Sequence, residues 1–166
     1  MPHPIPDPAR TGPGEHPHSP PGLHSTPGPE PLPAPHFVRF QGTTRHPRGH
    51  FPGVFALVNT LAKNGRLTPD QERFRRTHND WYDANYPDPS TVDPTVYDEA
   101  VNPGAVAWFK STSLELIGRV DGYLTILAAH DIPCRRIHST RPGRIVYEDI
   151  HQVVVTPWPT DHSTTT

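Results

Sequence analysis

One run of seven residues, Thr77–Asp83, holds the densest group of side chains capable of chemistry. At helical spacing His78, Trp81 and Tyr82 share one side, while the two aspartates of the run lie on another. Such a face presents a general base between aromatic walls. The alternative is a half-buried helix whose aromatic side chains pack in the core. We favour this second interpretation, because the polar members of the run suit a half-buried position.

Two groups of residues are candidates for a functional site. Catalysis by a small transferase or hydrolase would draw on Arg39, His78, Tyr82, Glu148 and His151. Binding of a partner would draw on arginines and aromatic residues of one predicted helix, namely Arg73, Arg76, Trp81 and Tyr82. An enzyme needs its catalytic groups in one concave pocket. Convergence of the first group is therefore the structural test of the enzymatic alternative.

Motifs for metals and common cofactors are weak or missing. Possible metal ligands occur only as isolated pairs, which are His46 with His50, His78 with Asp80, and Asp149 with His151. These signals are weak beside a CxxC pair or an HExxH helix, so we expect no metal site and no cofactor. The chain has no P-loop, GxGxxG or GxSxG motif, which argues against nucleotide-phosphate and α/β-hydrolase chemistry. The single cysteine, Cys134, begins a predicted strand and is expected to be a buried hydrophobic residue rather than a nucleophile.

Three short pieces of the sequence occur in the order of a known enzymatic pattern. Arg39 lies on a predicted first strand, Ser111-Thr112-Ser113 follows in the middle of the chain, and Glu148 comes late. In these pieces the chain resembles the arginine–serine–glutamate pattern of mono-ADP-ribosyltransferases. The resemblance implies that the arginine and the serine segment hold NAD and that the glutamate polarises its ribose.

Four longer runs carry a second resemblance. They are His-Asn-Asp-Trp-Tyr-Asp at 78–83, Val-Ala-Trp-Phe-Lys at 106–110, Gly-Arg-Ile-Val-Tyr-Glu-Asp at 143–149 and Gln-Val-Val-Val at 152–155. In these runs the chain is similar to small proteins of high-GC actinobacteria. This resemblance implies no function. The 13 arginines against 2 lysines are consistent with a GC-rich coding bias.

Composition divides the chain into three parts. Residues 1–36 contain 13 of the 24 prolines and no Phe, Trp or Tyr, which predicts a disordered tail rich in proline and histidine. Aromatic residues and period-two patterning begin together at Phe37. We therefore predict one small α+β domain over residues 37–158, followed by a flexible C-terminal tail over 159–166.

The first half of the predicted domain opens with a short strand and continues with helices. Phe37–Phe40 alternates at period two, as a strand does. Apolar residues from Val54 onward fall on one helical face, and Asn64-Gly65 ends that helix. Thr68-Pro69-Asp70-Gln71 contains an N-cap, a first-turn proline and a capping box, which predicts a second helix to Asn85. A short helix is expected from Asp93-Pro94 to Val101.

The second half is predicted to contain the longest helix and then a sheet. From Asn102 apolar residues recur every three or four positions to about His130. A second capping pattern, Thr112-x-x-Glu115, leaves open a break near Ser111. Three runs rich in β-branched residues then predict a three-stranded antiparallel meander, with Phe37–Phe40 as a possible fourth strand; the runs are Cys134–Ser139, Arg144–Glu148 and Ile150–Thr156.

Charge and hydropathy limit the functional classes. The net charge is -2 and the pI about 6.6, so the whole chain has no general footprint for nucleic acid or membrane. The charged residues are nevertheless unevenly distributed along the sequence. Most of residues 39–76 that carry charge are cationic, whereas residues 80–99 are acidic and contain no Lys or Arg. No apolar run of 18 residues occurs, and we expect a cytoplasmic protein without membrane contact.

We expect a non-enzymatic interaction module that binds a protein or nucleic-acid partner; a small enzyme and a toxin-like or immunity-like factor are the alternatives.

Overall fold

The computed structural model describes residues 28–159. The chain divides into two units, residues 1–32 and 33–166, and the described part of the first unit contains no helix or strand. Most of the predicted N-terminal tail and nearly all of the predicted C-terminal tail lie outside the described residues. The first strand, β1 (Phe37–Gly42), begins where the sequence predicts the domain to begin.

Two helices follow β1 as predicted. Helix α1 (Val54–Lys63) ends at Asn64, and Gly65 adopts the left-handed conformation with φ +65° that stops a helix. Helix α2 (Pro69–Asn85) begins with the predicted capping box. In that box the Thr68 hydroxyl accepts the Gln71 N–H at 3.2 Å, and the Gln71 side chain accepts the Thr68 N–H at 3.0 Å.

The proline-rich segment after α2 forms turns rather than the short helix expected from Asp93 to Val101. A single 3-10 turn, Pro89–Thr91, is its one helical piece among the described residues. Asp93 explains the difference, because its carboxylate accepts the backbone N–H of Thr95 at 2.9 Å and the Thr95 hydroxyl at 2.7 Å. Such local bonds compete with helix formation.

The predicted long helix from Asn102 is wrong in its first part, because Val106–Lys110 forms a strand, β2. Trp108 packs in the cluster on one face of the sheet and Phe109 in the cluster on the other. Positions 106 and 109 also fit the spacing of a helix. In so short an apolar run, periodicity alone does not distinguish a strand from a helix. The segment Ser111–Ser113 is therefore a turn at the end of a strand and not the middle of a helix.

The remainder of the predicted long helix is divided into two. Helix α3 (Leu114–Gly118) and helix α4 (Asp121–Ala129) are separated by Arg119 and Val120. The buried apolar residues of both helices face the same core cluster as α1. The helical spacing of the sequence is thus correct for this part of the chain.

The last three strands have nearly the predicted bounds but not the predicted pairing. They are β3 (Cys134–Ser139), β4 (Arg144–Glu148) and β5 (Gln152–Thr156). The five described strands form one antiparallel sheet in the order β3-β1-β2-β5-β4. Only β4 and β5 form a hairpin, because β3 pairs with β1 at the opposite edge. The predicted meander is wrong, since β1 and the unforeseen β2 lie between β3 and β5.

The fold is α+β, with the helices on one face of the sheet. Val38, Phe40 and Phe109 face α1, α3 and α4 in the main core cluster. Phe37 and Trp108 belong to a second, smaller cluster on the other face. Among residues 28–159, no helix has the length and apolar character needed to cross a membrane.

Candidate functional site

The Trp81 groove is an open concavity of about 560 Å³. We define it by Trp81 and Asn85 of α2, residues 112–116 at the start of α3, and Ile150 and His151 of the β4–β5 turn. The Ser113 hydroxyl donates to His151 O, which joins the segment before α3 to the β4–β5 turn. The groove therefore combines a predicted binding residue, Trp81, with a predicted catalytic residue, His151.

Two large apolar side chains of this groove are exposed to solvent. Leu114 is 75 % exposed and Ile150 is 76 % exposed. The Arg119 guanidinium lies 3.8 Å from the centroid of the Trp81 ring and also pairs with Glu115 at 3.1 Å. This cation–π contact holds the indole in a fixed orientation on the groove wall.

The tyrosine cleft is a second concavity, of about 460 Å³. Its aromatic walls are Phe55 of α1, Tyr82 and Tyr86 of α2, and Tyr97 of the proline-rich segment. The sheet contributes Ala107 and Gln152, and the rim includes the carboxylates of residues 83 and 88. Burial raises the pKa of Tyr97 to about 12 and that of Tyr86 well above its usual value. These phenols are therefore protonated donors at neutral pH.

A hydrogen-bond network fixes the inner end of the tyrosine cleft. The fully buried Gln152 donates from its amide nitrogen to Pro87 O at 2.7 Å and to the Asp149 carboxylate at 2.9 Å. Burial alone would raise the pKa of Asp149. Donors from His151, Gln152 and Tyr147 outweigh burial and hold the pKa below its usual value. Asp149 is therefore a structural anion of the β4–β5 turn.

Arg39 lies in the gap where β1 and β2 separate. The two strands pair over only two residues, and the segment ending at Gly53 bridges to β1 beyond that point. The Arg39 guanidinium spans this gap, donating to Ala107 O at 2.7 Å, to Phe51 O at 2.8 Å and to the Gln41 side chain at 3.0 Å. The side chain is 8 % exposed and has no salt-bridge partner among the described residues.

A small cavity of about 80 Å³ adjoins this arginine. We call it the Arg39 cavity; its polar side chains are those of Arg39 and Tyr86, and the N-terminus of α1 lines it with the N-cap Gly53 and with Val54 and Phe55. The other lining residues are apolar, namely Phe40, Ala107 and Phe109. The Arg39 cavity and the tyrosine cleft have three walls in common, Phe55, Tyr86 and Ala107. Burial lowers the pKa of Arg39 to about 10, so the guanidinium is charged at neutral pH.

Three of the predicted catalytic residues make contacts that explain their positions without a catalytic role. His78 stacks on Phe74 with ring centroids 3.7 Å apart, and its Nδ1 lies 2.9 Å from Phe74 O. The Tyr82 hydroxyl donates to the backbone oxygen of Leu116, while its ring lines the tyrosine cleft. Glu148, at the end of β4, pairs with Lys110 at 2.7 Å.

The predicted binding arginines of α2 are paired with acids of the same helix. Arg73 bonds Asp70 at 3.0 Å, and Arg76 bonds Glu72 at 2.8 Å. Glu72 also bonds Arg75 at 2.7 Å, and these arginines lower the pKa of its carboxyl to about 2. The positive charge on this face of α2 is thus largely balanced.

The predicted catalytic residues do not meet in one cavity. Arg39 lines its own cavity, Tyr82 lines the tyrosine cleft and His151 lines the Trp81 groove, whereas His78 and Glu148 line none of the three. The pieces that resemble mono-ADP-ribosyltransferases are likewise apart. Their serine segment borders the Trp81 groove, and its Ser113 hydroxyl donates to His151 O at 3.2 Å.

The described residues contain no group of three or more acidic, histidine or cysteine side chains placed to hold a metal ion. Cys134 is half-buried, and burial raises the pKa of its thiol even though Arg39 acts in the opposite direction. A raised thiol pKa does not favour a nucleophilic thiolate.

Sequence reasoning missed several residues of these sites. Leu114 lies within the predicted long helix but was not a candidate for a site, and Ile150 was assigned to the last predicted strand. Tyr86 lies one residue beyond the predicted end of α2 and was not a candidate. Gly53 carried a usable signal, because it precedes α1 where a Ser, Thr, Asp or Asn cap is usual.

Comparison of the chain with protein-family models, with curated proteins and with solved structures finds no match.

Proposed function

We propose that the domain is a non-enzymatic interaction module that binds a protein partner in the Trp81 groove. The observation that carries the proposal is the pairing of Leu114 and Ile150 on one concavity. At 75 % and 76 % exposure they are the most exposed large apolar side chains of residues 33–159. Single exposed apolar residues are ordinary, but neighbours around a concavity are typical of a binding surface.

The free energy available from this surface is substantial. Burying an aliphatic side chain of this size contributes about 1.5–3 kcal/mol, so two of them contribute roughly 3–6 kcal/mol before the costs of association. Trp81 adds an aromatic anchor whose orientation Arg119 already fixes. Tryptophan is among the residue types that most often dominate the binding energy of an interface.

The chemistry of the groove favours protein over nucleic acid. No Lys or Arg is among the residues that line the groove. Arg119, which stacks on Trp81, is paired with Glu115 at 3.1 Å, so this wall carries no free positive charge for a phosphate. The arginines of α2 are paired with Asp70 and Glu72, which leaves little free charge for phosphates. We infer that the occupant is a segment of a partner protein presenting aliphatic or aromatic side chains, flanked by hydrogen-bonding groups for Asn85 and His151. We expect this binding to take place in the cytoplasm.

The enzymatic alternative lacks a comparable observation. Its five candidate residues do not share one concavity: Arg39 and Tyr82 line two adjoining ones and His151 lines the Trp81 groove. His78 and Glu148 line none of the three. The pairing of Glu148 with Lys110 and the packing of His78 on Phe74 account for those two side chains without catalysis.

A quantitative pull-down with the full chain tests the proposal. The test variant is Leu114→Asp with Ile150→Asp, which places two charges in the groove. The control is Val92→Asp, because Val92 is 70 % exposed and does not line the groove. Circular dichroism melting confirms that both variants are folded.

We expect one protein to be recovered in near-stoichiometric amount by the wild type and by Val92→Asp, and to be lost with the groove variant. Nuclease treatment should leave this recovery unchanged. Equal recovery by the groove variant would contradict the proposal. Recovery that disappears with nuclease or moderate salt would identify nucleic acid as the partner instead.

A further inference from the structure

A buried positive charge without a counterion is the most unusual feature of the described residues outside the Trp81 groove. Arg39 is 8 % exposed, and its three hydrogen-bond acceptors are two carbonyl oxygens and an amide oxygen, all neutral. An arginine has five N–H donors, so two remain available. Buried charges are normally paired with an opposite charge, because an unpaired one is expensive to desolvate.

The N-terminus of α1 adds to the positive potential at the same place. Its N-cap is Gly53, which has no side chain to cap the helix, and no acidic residue occupies the first turn. The first amides of a helix point outward without partners and carry a partial positive charge. A β-carbon built on Gly53 would lie 3.5 Å from Arg39 Nη2, so the helix end and the guanidinium adjoin each other.

Both of these positive groups line the Arg39 cavity. Its volume of about 80 Å³ suits a single acid group, and Gly53, Val54 and Arg39 all line it. Tyr86, whose phenol stays protonated, lines it as well. A helix N-terminus combined with a buried arginine is the usual construction of an anion site.

The tyrosine cleft provides room for the rest of a ligand. Phe55 and Tyr86 belong to both concavities, and Tyr82 and Tyr97 extend the aromatic walls. The rim carries Asp83 and Asp88, which disfavour a ligand with a second negative charge. A planar monocarboxylate therefore fits this pair of concavities better than a phosphate dianion does.

We propose that the domain binds a small aromatic carboxylic acid, with its carboxylate in the Arg39 cavity against Arg39 and the α1 N-terminus, and its ring in the tyrosine cleft. This site is separate from the Trp81 groove, and the proposal does not depend on the protein-binding function.

A substitution at Gly53 tests the cavity without any ligand. Space exists there, since an added β-carbon would meet Arg39 only at ordinary contact distances of 3.5–3.8 Å. Gly53→Asp adds a carboxylate beside the Arg39 guanidinium, and Gly53→Asn is the neutral control that caps α1 equally well. We expect Gly53→Asp to unfold at a higher urea concentration than Gly53→Asn. This difference should disappear when Arg39 is replaced by Met.

Ligand binding is then measured with benzoate, acetate and inorganic phosphate at constant ionic strength. We expect benzoate to raise the melting temperature of the full chain most and phosphate least. Arg39→Met should weaken benzoate binding at least about tenfold. Arg135→Met, an exposed arginine on the adjacent strand, should leave binding unchanged. Gly53→Asp should abolish the benzoate effect.

Two results would overturn the proposal. One is a Gly53→Asp variant no more stable than Gly53→Asn, which would mean that the cavity does not favour an anion. The other is a melting temperature equally insensitive to benzoate in the wild type and in Gly53→Asp. If Arg39→Met does not fold, the Gly53 comparison and the Arg39→Lys variant still decide the question.

Discussion

The contact between α2 and α4 depends on the absence of a side chain at Gly122. A β-carbon at this position would lie 2.1 Å from Cζ and 2.4 Å from Cε2 of the Phe74 ring. Carbon atoms in contact normally sit about 3.5–4.0 Å apart, so the ring would have to retreat by more than an ångström. His78 stacks on the ring at 3.7 Å and Tyr123 meets it edge-on at 5.4 Å, and both oppose that movement.

We therefore expect Gly122→Ala to destabilise the protein. Overpacking of a filled core costs about 1–3 kcal/mol. Alanine recovers up to about 1 kcal/mol of helix propensity relative to glycine. With the full recovery, the net loss in free energy of unfolding should be about 0–2 kcal/mol, measured as the midpoint shift in urea at unchanged m-value.

Gly118→Ala is the matched control, because a β-carbon at Gly118 meets no atom within 4 Å. This variant should be neutral or more stable by up to about 1 kcal/mol. Replacing Phe74 by Leu should partly relieve Gly122→Ala, which a double-mutant cycle detects as a coupling energy. Equal stability of the two glycine variants would refute the reasoning, since it would show that the ring moves freely.

Two further predictions concern a cap and an acid. Thr68→Ala should lower the free energy of unfolding by about 0.5–2 kcal/mol in urea titrations, because the Gln71 N–H loses its acceptor; a loss below that range would show that the capping box is not needed. The folded-state pKa of Asp149 is depressed, so its stabilising contribution is full above the unfolded pKa of about 4 and is lost as the pH falls through the lower folded value. Asp149→Asn should accordingly be less stable than the wild type at neutral pH, with a flatter decline of stability below about pH 4, measured by urea unfolding across pH; an unchanged acid limb would argue against this role.

Local signals in the sequence predicted the parts of the fold that depend on neighbouring residues. Asn64-Gly65 predicted where α1 ends, and the capping box at Thr68 predicted where α2 begins. Both predictions are confirmed. The bounds of β3 and β4 were also correct, because β-branched runs between turn residues identify strands without reference to their partners.

The errors concern structure that depends on distant residues. Val106–Lys110 fits either period, and only its pairing with β1 and β5 makes it a strand. Once β2 occupies the centre of the sheet, β3 pairs with β1 over six residues at one edge instead of joining β4. Neither pairing has a signal within a short window of sequence, which is why a meander appeared sufficient.

The sites were predictable to the extent that they lie on predicted elements. Trp81 and His151 were both candidates, and the structure brings them to one groove. The Arg39 cavity could not be foreseen, because Gly53 and Tyr86 reach it only through the separation of β1 and β2 and the end of α2. A candidate arginine on β1 was visible, but its lack of an acidic neighbour is a property of the folded chain.

The two proposed sites are adjacent in the fold but can be tested independently. Trp81 and Tyr82 are consecutive on α2, yet they line different concavities, because successive helical residues point about 100° apart. Any variant that displaces α2, such as Gly122→Ala, would therefore disturb both sites and separate neither. Leu114 and Ile150 change only the groove, and Gly53 changes only the Arg39 cavity. If Gly53→Asp also abolished partner binding, the ligand and the protein would have to compete for one surface, and the assignment of two sites would have to be abandoned.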